Sequence, residues 1–313
     1  MNDSIHPPAS RHQVRTRHLD SLSHALGPTI AAALADDEVV EVMANPDGGL
    51  WVDRAGTGRK RLGDLDPHAA ETVIRLLANH MGEPCGRDRL SVAGTLPDSG
   101  ERFQGVLPPI VERPSFTIRK RPKVIYTLDD YLADETMTAA QAEAIRQAIA
   151  ERRNIMVAGG TGSGKTTLAN AILAEPVFRH DRVVILEDTR ELQCAAEDRI
   201  ELLTKQADPA VTMRDLLKMT LRFRPDRIVV GEVRGGEALD MLKAWNTGHP
   251  GGIATVHANS AEDAVGRVAD LVAEVSGVDA ERLIRATIGV TLFLERCRET
   301  HRRRLSIAYP DRS

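Results

Sequence analysis

Residues 155–173 constrain this chain more than any other stretch. An apolar run, Ile155-Met156-Val157-Ala158, leads into Gly159-Gly160-Thr161-Gly162-Ser163-Gly164-Lys165-Thr166-Thr167, and Leu168 to Leu173 continue with helical character. This is the pattern G-x-x-x-x-G-K-T with a strand before it and a helix after it. Glycines let the backbone curl around a phosphate chain and aim its N–H groups inward. The helix that starts at the loop adds the positive end of its dipole. Gly160, Thr161, Gly162, Ser163, Gly164, Lys165, Thr166 and Thr167 are therefore the expected phosphate cradle. Lys165 is placed to reach the β- and γ-phosphates as a point charge, and the Thr166 hydroxyl to ligate Mg²⁺.

The surrounding sequence fits an α/β fold. Short apolar runs at Asn154–Ala158, Val183–Leu186 and Ile228–Val230 alternate with helical patterns, among them one opened by the capping box Thr138-x-x-Gln141. Buried strands alternating with helices predict a parallel sheet covered on both faces. Two of these strands end in acids, Glu187-Asp188-Thr189-Arg190-Glu191 and Glu232-Val233-Arg234. Ligands of such sheets sit at the carboxyl ends of the strands. Glu232 is read as the metal-side carboxylate and Glu187 as the group that orients or deprotonates water. The reverse assignment, and a plain turn-capping role for Glu187, stand beside that reading. Further on, Thr255 and His257 alternate with apolar residues on a strand and share a face. His257 is a candidate γ-phosphate sensor, whereas His249, in a Gly/Pro loop, is read as structural. Ser260-x-x-Asp263 caps the next helix.

The first half has a different rhythm. Residues 1–18 are expected to be a flexible tail. Residues 19–121 form a small α/β domain, with helical sequence from Leu19 to Ala35 interrupted at Gly27-Pro28. A hairpin follows, Val39–Met43 and Leu50–Asp53 around Asn45-Pro46-Asp47-Gly48-Gly49. Asp66-Pro67 opens a helix whose apolar face is Val73, Ile74, Leu76, Leu77 and Met81. Strands are expected over Arg102–Leu107 and Ser115–Arg121. Residues 122–137 read as a linker, and 138–313 as the phosphate-binding domain.

Composition narrows the function. Against 41 Lys+Arg stand 45 Asp+Glu, a net charge of −4, which lacks the basic surplus usual in a duplex binder. Trp 2, Tyr 3 and Phe 5 leave few platforms for stacking single-stranded bases. Direct nucleic-acid binding is therefore disfavoured. Cys85, Cys194 and Cys297 are scattered, with no C-x-x-C pair to hold zinc and no disulfide framework. No run approaches the ~18 apolar residues of a membrane helix, and no signal-peptide pattern is present, so a cytoplasmic location is expected. Arg302-Arg303-Arg304 reads as a solvated run, with acidic lipid headgroups as an alternative contact.

Taken in order, the Gly-Gly-Thr-Gly-Ser-Gly-Lys-Thr-Thr loop, Glu187 to Leu192, Arg224-Pro225-Asp226 through Glu232-Val233-Arg234, and Thr255-Val256-His257-Ala258-Asn259 resemble the secretion-superfamily traffic ATPases. These correspond to that family's Walker A, acidic "Asp box", Walker B and His box. The short length resembles its type IV secretion and conjugation branch, although tight-adherence pilus ATPases share the same core. The resemblance implies ATP and Mg²⁺ as cofactors and a RecA-like domain behind the smaller N-terminal one. It also implies a homo-hexamer working with type IV secretion or conjugation proteins; the sequence leaves room for a peripheral contact with the inner membrane. Arginines lent to the phosphates from the N-terminal side or a neighbouring subunit are implied as well, with Arg102, Arg113 and Arg119 as candidates and Arg119 the best match. A DNA-translocating motor and an ATP-binding scaffold without turnover are the alternatives. The charge and the scarcity of aromatics weigh against the motor, and the intact Lys165, Thr166, Glu187 and Glu232 against the scaffold.

Overall fold

The computed structural model describes residues 11–54, 57–82, 85–86, 89–97, 99–121, 125–205, 208–277, 280–297 and 302–310, with backbone alone for 11–19. The chain divides into two compact units, Met1–Lys123 and Val124–Ser313.

The first unit runs α1 (Arg11–Ala35), β1 (Val39–Ala44), β2 (Gly49–Arg54), β3 (Gly58–Asp64), α2 (Pro67–His80), β4 (Ser91–Thr95), β5 (Arg102–Val106) and β6 (Ser115–Arg119). Its strands form one sheet in the order β3-β2-β1-β6-β5-β4, with antiparallel pairing throughout. Alternating residues Val42, Val52 and Ile118 pack with Leu22, Leu26 and Ile30 of α1 and Val73, Ile74 and Leu77 of α2. The Asp66 carboxylate accepts the His68 N–H and so caps α2. Gly27, at φ 70°, breaks the regular geometry of α1 just before Pro28.

Two boundary expectations need correction. Helix α1 starts at Arg11, so residues 11–18 are helical, while 1–10 lie outside the described residues. No Gly or Pro interrupts the chain between Arg11 and Leu26, which leaves nothing to stop the helix from extending backwards. The expected linker 122–137 contains α3 (Leu128–Ala133), capped by a Thr127–Asp130 capping box. Leu128, Tyr131 and Met137 are buried in the core of the second unit, so burial makes this stretch part of that unit. Residues 122–124 lie outside the described set.

The second unit continues with α4 (Ala139–Ala150), β7 (Asn154–Gly159), α5 (Lys165–Leu173), β8 (Val183–Glu187), β9 (Arg199–Leu203), α6 (Met213–Thr220), β10 (Arg227–Val233), α7 (Glu237–Asn246), β11 (Ile253–His257), α8 (Ala261–Ala273), α9 (Ala280–Thr287), β12 (Ile288–Arg296) and β13 (Arg303–Ala308). The sheet order is β13-β12-β7-β11-β10-β8-β9; only the β12–β13 pair is antiparallel. The sheet is covered on both faces, as the continuous apolar strands require. On one face Met156, Leu186, Val230 and Val256 pack with α6, α7 and α8; on the other Val157, Ile185, Val229 and Leu292 pack with α3, α4 and α5.

The amino end of this sheet is pinned by a buried cation. Arg227, 2% exposed, pairs through Nε with Asp181 at 2.6 Å and donates to the carbonyls of Gly251 and Ile149. Its guanidinium lies 4.7 Å from the Phe178 ring centre. Gly251, at φ 83°, comes so close that a Cβ there would sit 2.6 Å from Nη1. Replacing Arg227 with Leu removes one of the two guanidinium partners of Asp181, the other being Arg152, and the side-chain donor to two carbonyls. Urea unfolding should show a loss of about 3 kcal/mol.

Candidate functional site

The site lies at the carboxyl ends of β7, β11, β10 and β8. Strand β7 delivers Gly159 and α5 begins at Lys165, with Gly164 as its N-cap at φ 103°. Gly159 cannot carry a side chain, since a Cβ would lie 2.5 Å from the Leu294 carbonyl oxygen and 2.6 Å from Ser163 Oγ. Lys165 Nζ donates to the carbonyls of Gly159 and Gly160, both at 3.0 Å. Burial lowers the Lys165 pKa; among the nearby charges Glu232 raises it and Arg234 lowers it further. Thr166 and Thr167 follow in the first turn of α5, both half-buried. Thr161 and Gly162 are exposed at the tip of the loop.

Strand β11 separates β7 from β10 and places His257 directly beside Gly159 in the strand register. His257 is exposed at the strand end, whereas Thr255 is buried and donates to the Gly231 carbonyl at 2.6 Å. His249 Nδ1 lies 2.9 Å from the Pro225 carbonyl, a loop-fixing contact.

The two acidic strand ends differ in kind. Glu187 is only 4% exposed, and its Oε1 accepts the N–H groups of Glu191 and Leu192, both at 2.8 Å. Burial pushes its carboxyl up to about 7 in spite of these two donors. Gly231 of β10 makes room for it, since a Cβ there would meet Glu187 Cγ at 2.9 Å. Glu232 is more open, and its carboxylate is held by Arg234.

Three contributors escaped the sequence reading. Asn170 of α5 donates to the Glu191 carbonyl and accepts the Gln193 N–H, clamping the acidic loop to the helix of the glycine-rich loop. A lone amide inside Leu168-Ala169-Asn170-Ala171-Ile172 was its signal. Arg303 of β13 donates through Nε to the Ser163 carbonyl at 3.1 Å, a contact that nothing in the sequence signalled, while the Arg302–Arg304 run stays exposed as expected. Pairing of β13 with β12 carries it there. Arg234 is the third, tied to both acidic strand ends. In the first unit Arg102 and Arg119 face each other in the β5–β6 register, and Arg119 is exposed. Arg113 is exposed in the loop between those strands.

A glycine-cradled helix start level with acidic strand ends in a parallel sheet defines a P-loop protein. Residues 102–307 match the family described as type II/IV secretion system protein. The chain is 50% identical over 282 residues to the conjugal transfer protein TrbB of Rhizobium radiobacter, covering 90% of this chain and 86% of that one. It is 36% identical over 263 residues to the type IV secretion system protein PtlH of Bordetella pertussis, covering 75% and 77%. In fold it is similar to the pilus retraction motor PilT with bound ADP (TM-score 0.64, 16% identity, covering 90% of this chain and 82% of that one). It is also similar to the Legionella pneumophila ATPase DotB (TM-score 0.60, 20% identity, covering 97% and 82%). The chain belongs to the type II/IV secretion system protein family. Among the described residues no helix is long and apolar enough to cross a membrane.

Because Glu187 keeps its proton to about pH 7 when folded but releases it near 4.5 when unfolded, the folded state holds the extra proton between these values. Stability contributed by this group should therefore fall as pH rises from 4.5 through 7. Glu187→Gln keeps the acceptor for both amides and cannot ionise. Denaturant titrations should show the variant gaining on the wild type between pH 5 and pH 8, by about 3 kcal/mol at most.

Proposed function

We propose that this protein is a Mg²⁺-dependent ATPase that powers substrate transfer or pilus assembly in a type IV secretion or conjugation system. The observation that carries the reading is the cradle at Gly159–Thr167 level with Glu232 and His257, in a chain half identical to a conjugal transfer protein. A homo-hexamer, contact with other secretion proteins and a place at the cytoplasmic face of the inner membrane belong to the same proposal.

The phosphate chain of ATP enters at the α5 N-terminus, where the loop amides and the dipole favour negative charge. Lys165, now satisfied by two loop carbonyls, exchanges them for β- and γ-phosphate oxygens. The donors suit a hard divalent cation: a hydroxyl on Thr166 and a partly exposed carboxylate on Glu232, both oxygen ligands. Bound there, Mg²⁺ would screen the charge on the β- and γ-phosphates. Glu232 also takes over the water. Its carboxylate is partly exposed, with Oε2 on Arg234, and acts electrostatically on Lys165, whereas Glu187 spends Oε1 on two backbone amides and holds the acidic loop in place. His257, beside Gly159, senses the γ-phosphate.

Lys165→Ala should abolish phosphate release in a coupled assay, because the transition-state charge loses its partner. Glu232→Gln should retain ATP binding and lose roughly 10²-fold or more in turnover, with Glu187→Gln losing far less. Unchanged turnover in Lys165→Ala would defeat the ATPase reading, and a larger loss in Glu187→Gln than in Glu232→Gln would reverse the two carboxylate roles.

A further inference from the structure

One cation in the site has no part in the scheme above. Arg234 follows Glu232 by two residues at the end of β10, and its guanidinium spans the gap to the loop after β8. Nε and Nη2 both donate to Glu232 Oε2, at 2.9 and 2.5 Å, and Nη1 reaches Asp188 Oδ2 at 3.3 Å. The Arg234 backbone is itself held, since Glu237 Oε1 at the start of α7 accepts the N–H groups of Arg234 and Gly235 at 2.7 and 2.9 Å. Asp188 is steadied from the other side by Thr204 Oγ1 at 2.8 Å.

Three features describe what this arrangement does. Glu232 and Asp188 are like charges at neighbouring strand ends, and a positive fork between them relieves their repulsion. The fork engages Oε2 of Glu232, one of the two carboxylate oxygens open to a divalent cation. All three side chains remain partly open to solvent, at 52%, 31% and 41% for Arg234, Glu232 and Asp188. Ion pairs of that exposure contribute little to stability and open readily. A bridge meant to brace the fold would be buried, as Arg227 is. A bridge meant to be exchanged would look like this one.

We propose that Arg234 is a positioning residue that serves as an internal counter-cation, holding Glu232 and Asp188 ready in the nucleotide-free protein and yielding Glu232 when metal-nucleotide binds. The proposal rests on the reading of Glu232 as the metal-side carboxylate. It makes loading of the site an exchange of one cation for another. Free metal, arriving without the phosphates that supply its other ligands, competes poorly with a tethered guanidinium, so divalent ions bind weakly there until nucleotide is present.

The test is Mn²⁺ binding to the full-length protein, followed by electron paramagnetic resonance without nucleotide, for wild type, Arg234→Gln, Arg234→Lys and Arg234→Gln combined with Glu232→Gln. Removing the competing charge should tighten Mn²⁺ binding in Arg234→Gln by roughly tenfold. The lysine variant, which keeps the charge and loses the fork, should fall between, and the double variant should return to the wild-type value. Binding of a fluorescent ATP analogue in EDTA should be unchanged in Arg234→Gln. An unchanged Mn²⁺ midpoint in Arg234→Gln would overturn the proposal. So would weakened ATP binding in EDTA, which would make Arg234 a phosphate ligand instead. Should Arg234→Gln not fold, the lysine variant carries the comparison, with a wild-type midpoint counting against the proposal. Mn²⁺ affinity measured with ATP present in Glu232→Gln separates the two levels. No loss there would remove the metal-side reading itself, whereas a loss there with no gain in Arg234→Gln would remove only the counter-cation role.

Discussion

The site depends on the shared parallel register of four strands. β7, β11, β10 and β8 run in the same direction, so their carboxyl ends finish together. That one constraint puts the first loop glycine, His257, Glu232 and Glu187 along a single edge, although they come from residues 159, 257, 232 and 187. Register of this kind is enforced by burial. With both faces covered, a strand that slipped by one residue would turn its whole apolar set to the wrong helices. The chemistry is therefore positioned by Met156, Val230, Val256 and their neighbours, none of which could take part in it.

Much of this was legible in the sequence because the decisive residues announce themselves locally. A glycine-rich loop between an apolar strand and a helix, and apolar runs ending in Glu, need no knowledge of partners distant in the chain. The caps at Asp66, Thr138 and Ser260 are local as well, and each appears with its acceptor engaged. What remained hidden depends on contacts across long separations. β3 is almost wholly polar because it is an exposed sheet edge, so no alternation marks it. β9 and β13 also close an edge, and their apolar residues Ile200, Leu202, Leu305 and Ile307 are interleaved with charged and polar ones in runs of only five or six residues. Arg303 looks like any arginine in a basic run until the β12–β13 pairing brings it to Ser163.

The roles of the two glutamates illustrate a further limit. From sequence Glu187 and Glu232 are equivalent, each following an apolar strand. Burial and backbone donors distinguish them: one is enclosed and tied to its own loop, the other open and tied to a mobile type of partner, a surface guanidinium. No pattern of residue types encodes that difference. It arises from Gly231, whose missing side chain leaves the space that Glu187 fills.

The antiparallel last strand bears on how the protein is made. The Ser163 carbonyl receives its donor from a residue 140 positions later, and Leu305 of the same strand exchanges contacts with Thr136 and Gln141. A ribosome therefore completes the glycine-rich loop long before it supplies the arginine that braces it. The nascent chain has an unbraced cradle through most of the synthesis of this unit. The strand that closes the sheet is thus also the one that supplies the side-chain donor to the loop at Ser163.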